Sequence, residues 1–130
     1  MLSLAVACGD TPTTPGGVNT LIQRELVIGG GAAAEAGNSI TVNYTGWLYD
    51  PSRPENKGLQ FDTSTGRDPF TFTLGAGAVI PGWDQGIVNM RVGGSRRLIV
   101  PPALAYGPSR NGPIPANSSL VFDVELVSIQ

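Results

Sequence analysis

Val79-Ile80-Pro81-Gly82-Trp83-Asp84-Gln85-Gly86-Ile87 reads as an extended segment turning directly into a short helix. Pro81 has the fixed φ and the missing N–H that suit a first helical position. Trp83 and Ile87 fall four apart, so one helical face carries an indole and a branched aliphatic chain. A single short helix cannot bury such a face alone. Most of the chain on either side has the pattern of strand. The expected solution is a sheet curling over the helix, with the indole at the bottom of whatever cavity remains.

Toward the C-terminus, the helix is expected to finish near Met90. Val92-Gly93-Gly94-Ser95 turns the chain into a strand over Arg96 to Val100, which Pro101-Pro102 stops. Ala103 to Ser119 is a Gly/Pro/Asn/Ser loop with one aromatic, Tyr106. Leu120 to Ile129 closes as a strand, with Leu120, Phe122, Val124, Leu126 and Ser128 on one face and Val121, Asp123, Glu125 and Val127 on the other.

Toward the N-terminus, Gly75-Ala76-Gly77 is a turn, preceded by Phe70-Thr71-Phe72-Thr73-Leu74, whose alternation marks a half-buried strand. Thr63-Ser64-Thr65-Gly66 is another turn, just after Phe61 and Asp62. Asp50 to Gly58 is polar, carries two prolines and reads as an exposed loop. Ser39 to Tyr49 is a strand with Ile40, Val42, Tyr44 and Gly46 on one face. Ala32 to Ala36 fits a helical turn or a loop equally well. Leu21 to Ile28 is a strand, and the folded unit is expected to begin near Val18. Together these elements give an α+β fold: an antiparallel sheet of about five to six strands with one short helix.

Composition narrows the chemistry. The 130 residues allow one domain, and 18 Gly with 11 Pro favour turns over long helices. Eight basic against ten acidic residues leave a net charge of −2 and no basic patch, which argues against nucleic acid as a partner. The chain has no His, which excludes His-dependent triads and His-based metal sites. Its one Cys, Cys8, excludes an internal disulfide and any multi-Cys cluster. Chemistry is left to carboxylates, hydroxyls, backbone groups and shape.

Residues 1–7 are small and apolar and run into Ala5-Val6-Ala7-Cys8-Gly9-Asp10, which resembles the end of a bacterial lipoprotein signal peptide with Cys8 as the lipidated residue. The alternative is an apolar terminus with an incidental Cys. Residues 8–17, rich in Thr, Pro and Gly, form a linker. On this reading the division is 1–7 partial signal peptide, 8–17 linker and 18–130 functional domain, placed at a bacterial cell envelope through a lipid on Cys8. Without a signal, the protein is expected in the cytoplasm.

Several motifs suggest chemistry. Gly75-Ala76-Gly77 before a helix resembles a phosphate loop, but the third glycine and the βαβ unit are missing, and a tight turn explains it. Asp62, Asp68 and Asp84 could supply the carboxylate pair of a glycoside hydrolase. Asp84 instead fits an exposed place in the first helical turn, where negative charge suits the dipole, and Asp68-Pro69 fits a turn. Asp62 follows Phe61 beside the predicted core. The aromatics Tyr44, Phe61, Phe70, Phe72, Trp83, Tyr106 and Phe122 occupy mostly inward faces, as a solid core or as an open pocket.

Val42-Asn43-Tyr44-Thr45-Gly46, Phe61-Asp62-Thr63-Ser64, Pro69-Phe70-Thr71-Phe72, Val79-Ile80-Pro81-Gly82-Trp83, Ala105-Tyr106-Gly107 and Leu120-Val121-Phe122-Asp123-Val124-Glu125-Leu126 closely resemble the FKBP-type peptidyl-prolyl cis-trans isomerases, in order, over about residues 20 to 130. The resemblance implies a strongly twisted antiparallel sheet wrapped around one short helix. It implies a pocket lined by Tyr44, Phe61, Asp62, Phe70, Val79, Ile80, Trp83, Tyr106, Ile114 and Phe122, with Trp83 as floor. The Ile80 N–H and the Tyr106 hydroxyl would hold substrate carbonyls, and Asp62 would orient Tyr44 or face the carbonyl carbon of the twisted amide. Tyr44, Asp62, Ile80 and Tyr106 are then the catalytic set, and the other pocket residues bind substrate.

The implied partners are proline-containing polypeptides and macrolide inhibitors of the rapamycin class, with no cofactor, no metal and a monomeric chain. A non-catalytic peptide-binding module using the same pocket is the rival reading. Two places depart from the family. The loop between Gly46 and Phe61 is longer than in its smallest members. After Tyr106, Arg110 or Asn111 stands where many members have His, and Pro113-Ile114-Pro115 replaces a more aliphatic run.

Overall fold

The computed structural model describes residues 18–130, so the expected signal segment, the linker and Cys8 lie outside the described residues. The elements run β1 (Ile22–Val27), β2 (Ser39–Tyr49), β3 (Lys57–Thr63), β4 (Phe70–Thr73), α1 (Pro81–Gly86), β5 (Ser95–Val100) and β6 (Leu120–Ile129). All strand pairs are antiparallel, in the order β1-β5-β6-β2-β3. β2 is long enough for two partners along one edge: Ser39 to Val42 pair with β4, and Thr45 to Tyr49 pair with β3. The expected α+β architecture is the one observed.

Alternation does the building. Leu120, Phe122, Val124 and Leu126 of β6 and Arg96, Leu98 and Val100 of β5 are buried, while Glu125 and Val127 face solvent. With Ile40, Val42, Phe72, Leu74, Trp83, Ile87 and Met90 the apolar ones form a single core. The helix lies almost directly on β5. A Cβ added to Gly82 would fall 2.5 Å from Val100 Cγ1, and one added to Gly86 would fall 2.7 Å from Leu98 Cδ2. Glycine at both positions permits this approach. It turns Trp83 away from β5 toward the open side of the sheet.

The helix is shorter than expected. It stops at Gly86, where the Ile87 N–H bonds the Trp83 carbonyl at 3.0 Å, and Asn89 takes a left-handed φ of 72° that no continuing helix allows. Ala32 to Ala36 form a loop touching Arg91 through a bridge at Ala33. The chain that follows the helix is held by Arg96, 6% exposed, whose guanidinium donates to the Gly86 and Val88 carbonyls at 2.7 and 3.0 Å. The same group donates to both carboxylate oxygens of Glu25 at 2.6 and 3.0 Å, fastening β1 to β5.

The segment expected as an exposed loop over Asp50 to Gly58 is more than that. Lys57 and Gly58 already belong to β3, and the turn at Pro54–Asn56 lies against the outer face of the sheet beside Ile22, Arg97 and Ile99. Val121 points to that face yet is fully buried, next to Trp47 and Ile99 in register. Lys57 Nζ sits 4.2 Å over the Trp47 ring and bonds Asp123 and Glu55 at 3.0 and 3.1 Å. Arg97 grips Asp123 at 2.7 Å and approaches Glu55 at 3.7 Å. The insertion thus covers a second, smaller apolar layer behind the sheet, away from the helix.

Candidate active site

The open side of the sheet over α1 holds a cleft of about 230 Å³ lined by Tyr44, Phe61, Asp62, Phe70, Ala78, Val79, Ile80, Trp83, Tyr106 and Phe122. The lining is gathered from distant parts of the chain: β2 gives Tyr44, β3 gives Phe61 and Asp62, β4 gives Phe70 and β6 gives Phe122. The approach to α1 gives Ala78 to Ile80, α1 gives Trp83, and the loop after Pro102 gives Tyr106. Nine of the ten expected pocket residues therefore meet here. Ile114 is not among them: it is 4% exposed and belongs to the same core cluster as Trp83 and Phe122.

Trp83, 5% exposed, forms the floor. Its ring stands edge-on to Tyr44 at 5.0 Å and to Phe122 at 5.3 Å, and lies 5.8 Å from Phe72. Phe61 meets Phe122 edge-on at 5.7 Å, and Phe70 stacks on Phe72 at 5.4 Å. These are the favoured geometries of ring quadrupoles, and they hold one another in place. The Trp83 Nε1–H is buried without a hydrogen-bond partner among the described residues. The choice between solid core and open pocket resolves both ways: Phe72 is core, and the other rings line a cavity.

Asp62 is the single carboxylate among the lining residues. Its Oδ2 accepts the Tyr44 hydroxyl at 2.7 Å, and its Oδ1 accepts Arg67 Nη2 at 2.7 Å and the Thr63 N–H at 2.8 Å. The Arg67 Nη2 also donates to the Thr63 carbonyl. Tyr44 is fixed from behind by Ser64, 4% exposed, whose Oγ accepts the Tyr44 N–H at 2.9 Å and whose N–H donates to the Tyr44 carbonyl at 2.9 Å. Burial raises the Asp62 pKa, but the Tyr44 hydroxyl, then Arg67 and the Thr63 N–H, outweigh it and leave the carboxyl below its usual range. Burial first, and then the bond to Asp62 and its charge, push Tyr44 up to about 12. Tyr106 is raised by burial and by the Asp62 charge, with the Asn111 side chain pulling it back. Near neutral pH the site therefore holds an ionised Asp62 and two intact phenols.

Two other features complete the inventory. The Ile80 N–H, at the rim, has no acceptor among the described residues. Asp84 is half-buried, where an exposed position was expected. Its carboxylate turns back onto the N–H groups of Gly75 and Gly77 at 2.8 and 3.0 Å. The turn that resembles a phosphate loop does present amides to an anion, and the anion is the protein's own. With Asp84 so engaged and Asp68 exposed on a turn, no second carboxylate faces Asp62, which removes the glycoside hydrolase reading. No group of three metal-ligating side chains occurs among the described residues. Of the residues that set up Asp62 and Tyr44, Thr63 and Ser64 entered from sequence only as a turn and within the family motif, and Arg67 was not singled out. The available signal was a cation five positions after Asp62, across the turn at Gly66.

Comparison with known proteins gives concordant results. The signature of the family described as "FKBP-type peptidyl-prolyl cis-trans isomerase" matches residues 30–127. FK506-binding protein 1 of Aspergillus oryzae is 40% identical over 113 residues, covering 83% of this chain and 97% of that protein. The crystal structure of AtFKBP13 superposes with a TM-score of 0.74 at 40% identity, over 85% of this chain and 93% of that one. That of FkpA from Escherichia coli gives 0.73 at 38% identity, over 89% of this chain and 52% of that one. Several other relatives are much longer, and the chain spans 20 to 28% of their length.

Proposed function

The chain belongs to the family of FKBP-type peptidyl-prolyl cis-trans isomerases, and from that premise we propose how its cleft turns an X–Pro bond and for which polypeptides. Rotation about that bond crosses a barrier of about 18–20 kcal/mol because twisting sacrifices amide resonance. No bond is made or broken, so the reaction requires neither nucleophile nor cofactor. The observation that carries the reading is the cleft itself: a ring-lined cavity whose one carboxylate is already held by three donors.

The proline ring settles on Trp83 between Tyr44, Phe70 and Phe122. The planar amide is the more charge-separated state, and an apolar cleft disfavours it relative to the twisted one. The Ile80 N–H, without an acceptor among the described residues, holds a substrate carbonyl, and the Tyr106 hydroxyl holds another. Asp62, kept ionised by Arg67 and Tyr44, orients the Tyr44 ring and sets a negative potential where the carbonyl carbon of the twisted amide passes. Each ~1.4 kcal/mol by which these contacts favour the twisted form is worth tenfold in rate.

The test is a protease-free isomerisation assay on a Phe-Pro peptide with the full chain. Acceleration that vanishes with a stoichiometric macrolide of the rapamycin class is the expected result. Macrolide binding without acceleration would move the protein to a non-catalytic peptide-binding module. Neither binding nor acceleration would sink the reading of the cleft.

For location, we propose a cell-envelope lipoprotein that assists X–Pro steps in exported proteins. Support comes from the small residue Ala7 before Cys8 and the polar tract after it, while Ala5 stands where such signals usually have Leu. Relatives with stated organisms are fungal and plant, with one solved structure from Escherichia coli. Mass spectrometry of the protein expressed in a bacterium is expected to find an acylated N-terminal Cys8. A chain that retains Met1 and an unmodified Cys8 would leave a cytoplasmic isomerase.

A further inference from the structure

Between β4 and α1 the chain runs through Gly75-Ala76-Gly77-Ala78, four exposed residues, before reaching Val79 and Ile80 on the cleft wall. Gly75 and Gly77 adopt φ of 83° and 76°, a left-handed backbone that glycine takes without strain. In this conformation both N–H groups bear on one side chain: Gly75 donates to Asp84 Oδ1 at 2.8 Å and Gly77 to Oδ2 at 3.0 Å. Asp84 is itself anchored, since the Trp83 and Asp84 N–H groups both reach the Ile80 carbonyl, at 3.0 and 3.3 Å. The contacts close a ring from Gly75 to Asp84. Inside it lie Val79, Ile80 and the floor residue Trp83.

We propose that Asp84 is a positioning residue that locks the cleft wall onto the helix and so presets the Ile80 N–H over the Trp83 floor. This rests on the reading of Ile80 as a substrate donor. The physical reason is preorganisation. A glycine-rich rim left unclamped samples many conformers, and ordering it is charged to every binding event. A carboxylate suits the role because both its oxygens accept, and hydrogen bonds to an ionised acceptor are about twice as strong as neutral ones. Asp84 touches neither substrate nor the rotating bond, and its effect passes through the loop. Ground state and twisted state use the same wall, so removing the clamp weakens both alike. That signature is a raised KM with kcat little changed.

Asp84→Asn keeps the shape but offers one acceptor oxygen and an NH2 that opposes the second amide. Expected are a KM and a rapamycin Kd each raised about tenfold, kcat within about twofold, and faster hydrogen exchange at Gly75 and Gly77. Asp84→Glu, which can still accept from both amides, is expected to recover most of the affinity. Gly77→Ala disturbs the clamp from the other side. Its added Cβ has open space around it but sits at φ 76°. It should reproduce the loss, and combining it with Asp84→Asn should add little.

Unchanged KM and Kd in Asp84→Asn and Gly77→Ala would overturn the inference. So would a kcat that falls in step with lost folded protein while KM holds. If Asp84→Asn folds poorly, Gly77→Ala and Asp84→Glu decide. A wild-type chain that fails to accelerate isomerisation sinks the reading of the cleft, and the rapamycin affinities then still judge Asp84 on its own.

Discussion

Trp83→Ala is expected to lower the unfolding free energy by about 3–5 kcal/mol and to reduce isomerase activity to background. The ring is 5% exposed and contacts Tyr44, Phe70, Phe72 and Phe122, so truncation removes a large buried area and leaves four rings facing a void. A loss of that size is a large part of the roughly 5–15 kcal/mol that holds an ordinary domain together. In a thermal melt it corresponds to a drop of roughly 10–25 °C.

Trp83→Phe separates the ring from its N–H. A buried donor with no partner costs about 1–3 kcal/mol, and among the described residues Trp83 Nε1 has none. Phenylalanine gives up area but removes that penalty. Its stability is expected within about 1.5 kcal/mol of wild type, with measurable activity retained. Urea unfolding of the two variants, with the peptide assay beside it, checks both. A cost below about 1 kcal/mol for Trp83→Ala would show that the indole is not holding the core.

Gly46→Ala should have the second largest effect, against the direction of intrinsic preference. Alanine is ordinarily the better residue inside a strand, since glycine adds chain entropy and nothing to pack. Here a Cβ would fall 2.8 Å from both Phe122 Cε1 and Phe61 Cζ. Gly46 stands in register between Asp62 on β3 and Phe122 on β6, so neither neighbouring strand can yield alone. Phe122 is wedged against Trp83 at 5.3 Å, which leaves Phe61, half-buried, to swing into the cleft. The expected cost is about 1–3 kcal/mol of stability, together with a fall on the order of 10²-fold in kcat/KM from a wall displaced by about 1 Å. Wild-type values in both assays would mean the two rings have room to spare.

Much of the fold was legible because its strands alternate. β2, β4 and β6 each carry apolar residues at every second position, β5 does so at Leu98 and Val100, and Pro81 marks where the helix begins. β3 escaped because Lys57-Gly58-Leu59-Gln60 has no alternation, and its pairing comes from the neighbour in space. The helix was overextended because Trp83 and Ile87 suggest a face that continues. Gly82 and Gly86, also four apart, form a second face, and the need to fit against Val100 and Leu98 was the better guide to its shape. In the site, aromatics and Asp62 were readable as residue types. The part played by Asp84 was not, because a carboxylate in a first helical turn satisfies the dipole rule without disclosing which amides it also holds.

The place of β6 bears on how the chain comes to have a fold at all. Among the described residues β6 alone joins β5 to β2, and it pairs Leu48 with Leu120 and Ile40 with Ile129. On a ribosome, which makes the chain from its N-terminus, everything through β5 emerges while the middle of the sheet is still missing. Leu120, Phe122, Val124 and Leu126 are then absent from the core, and β2 and β5 each expose an unpaired edge. Local structure has little to gain before that final strand arrives, so consolidation is expected late, non-local and slow. An assistant to the folding of other proteins is thus itself exposed to mispairing until β6 has been made.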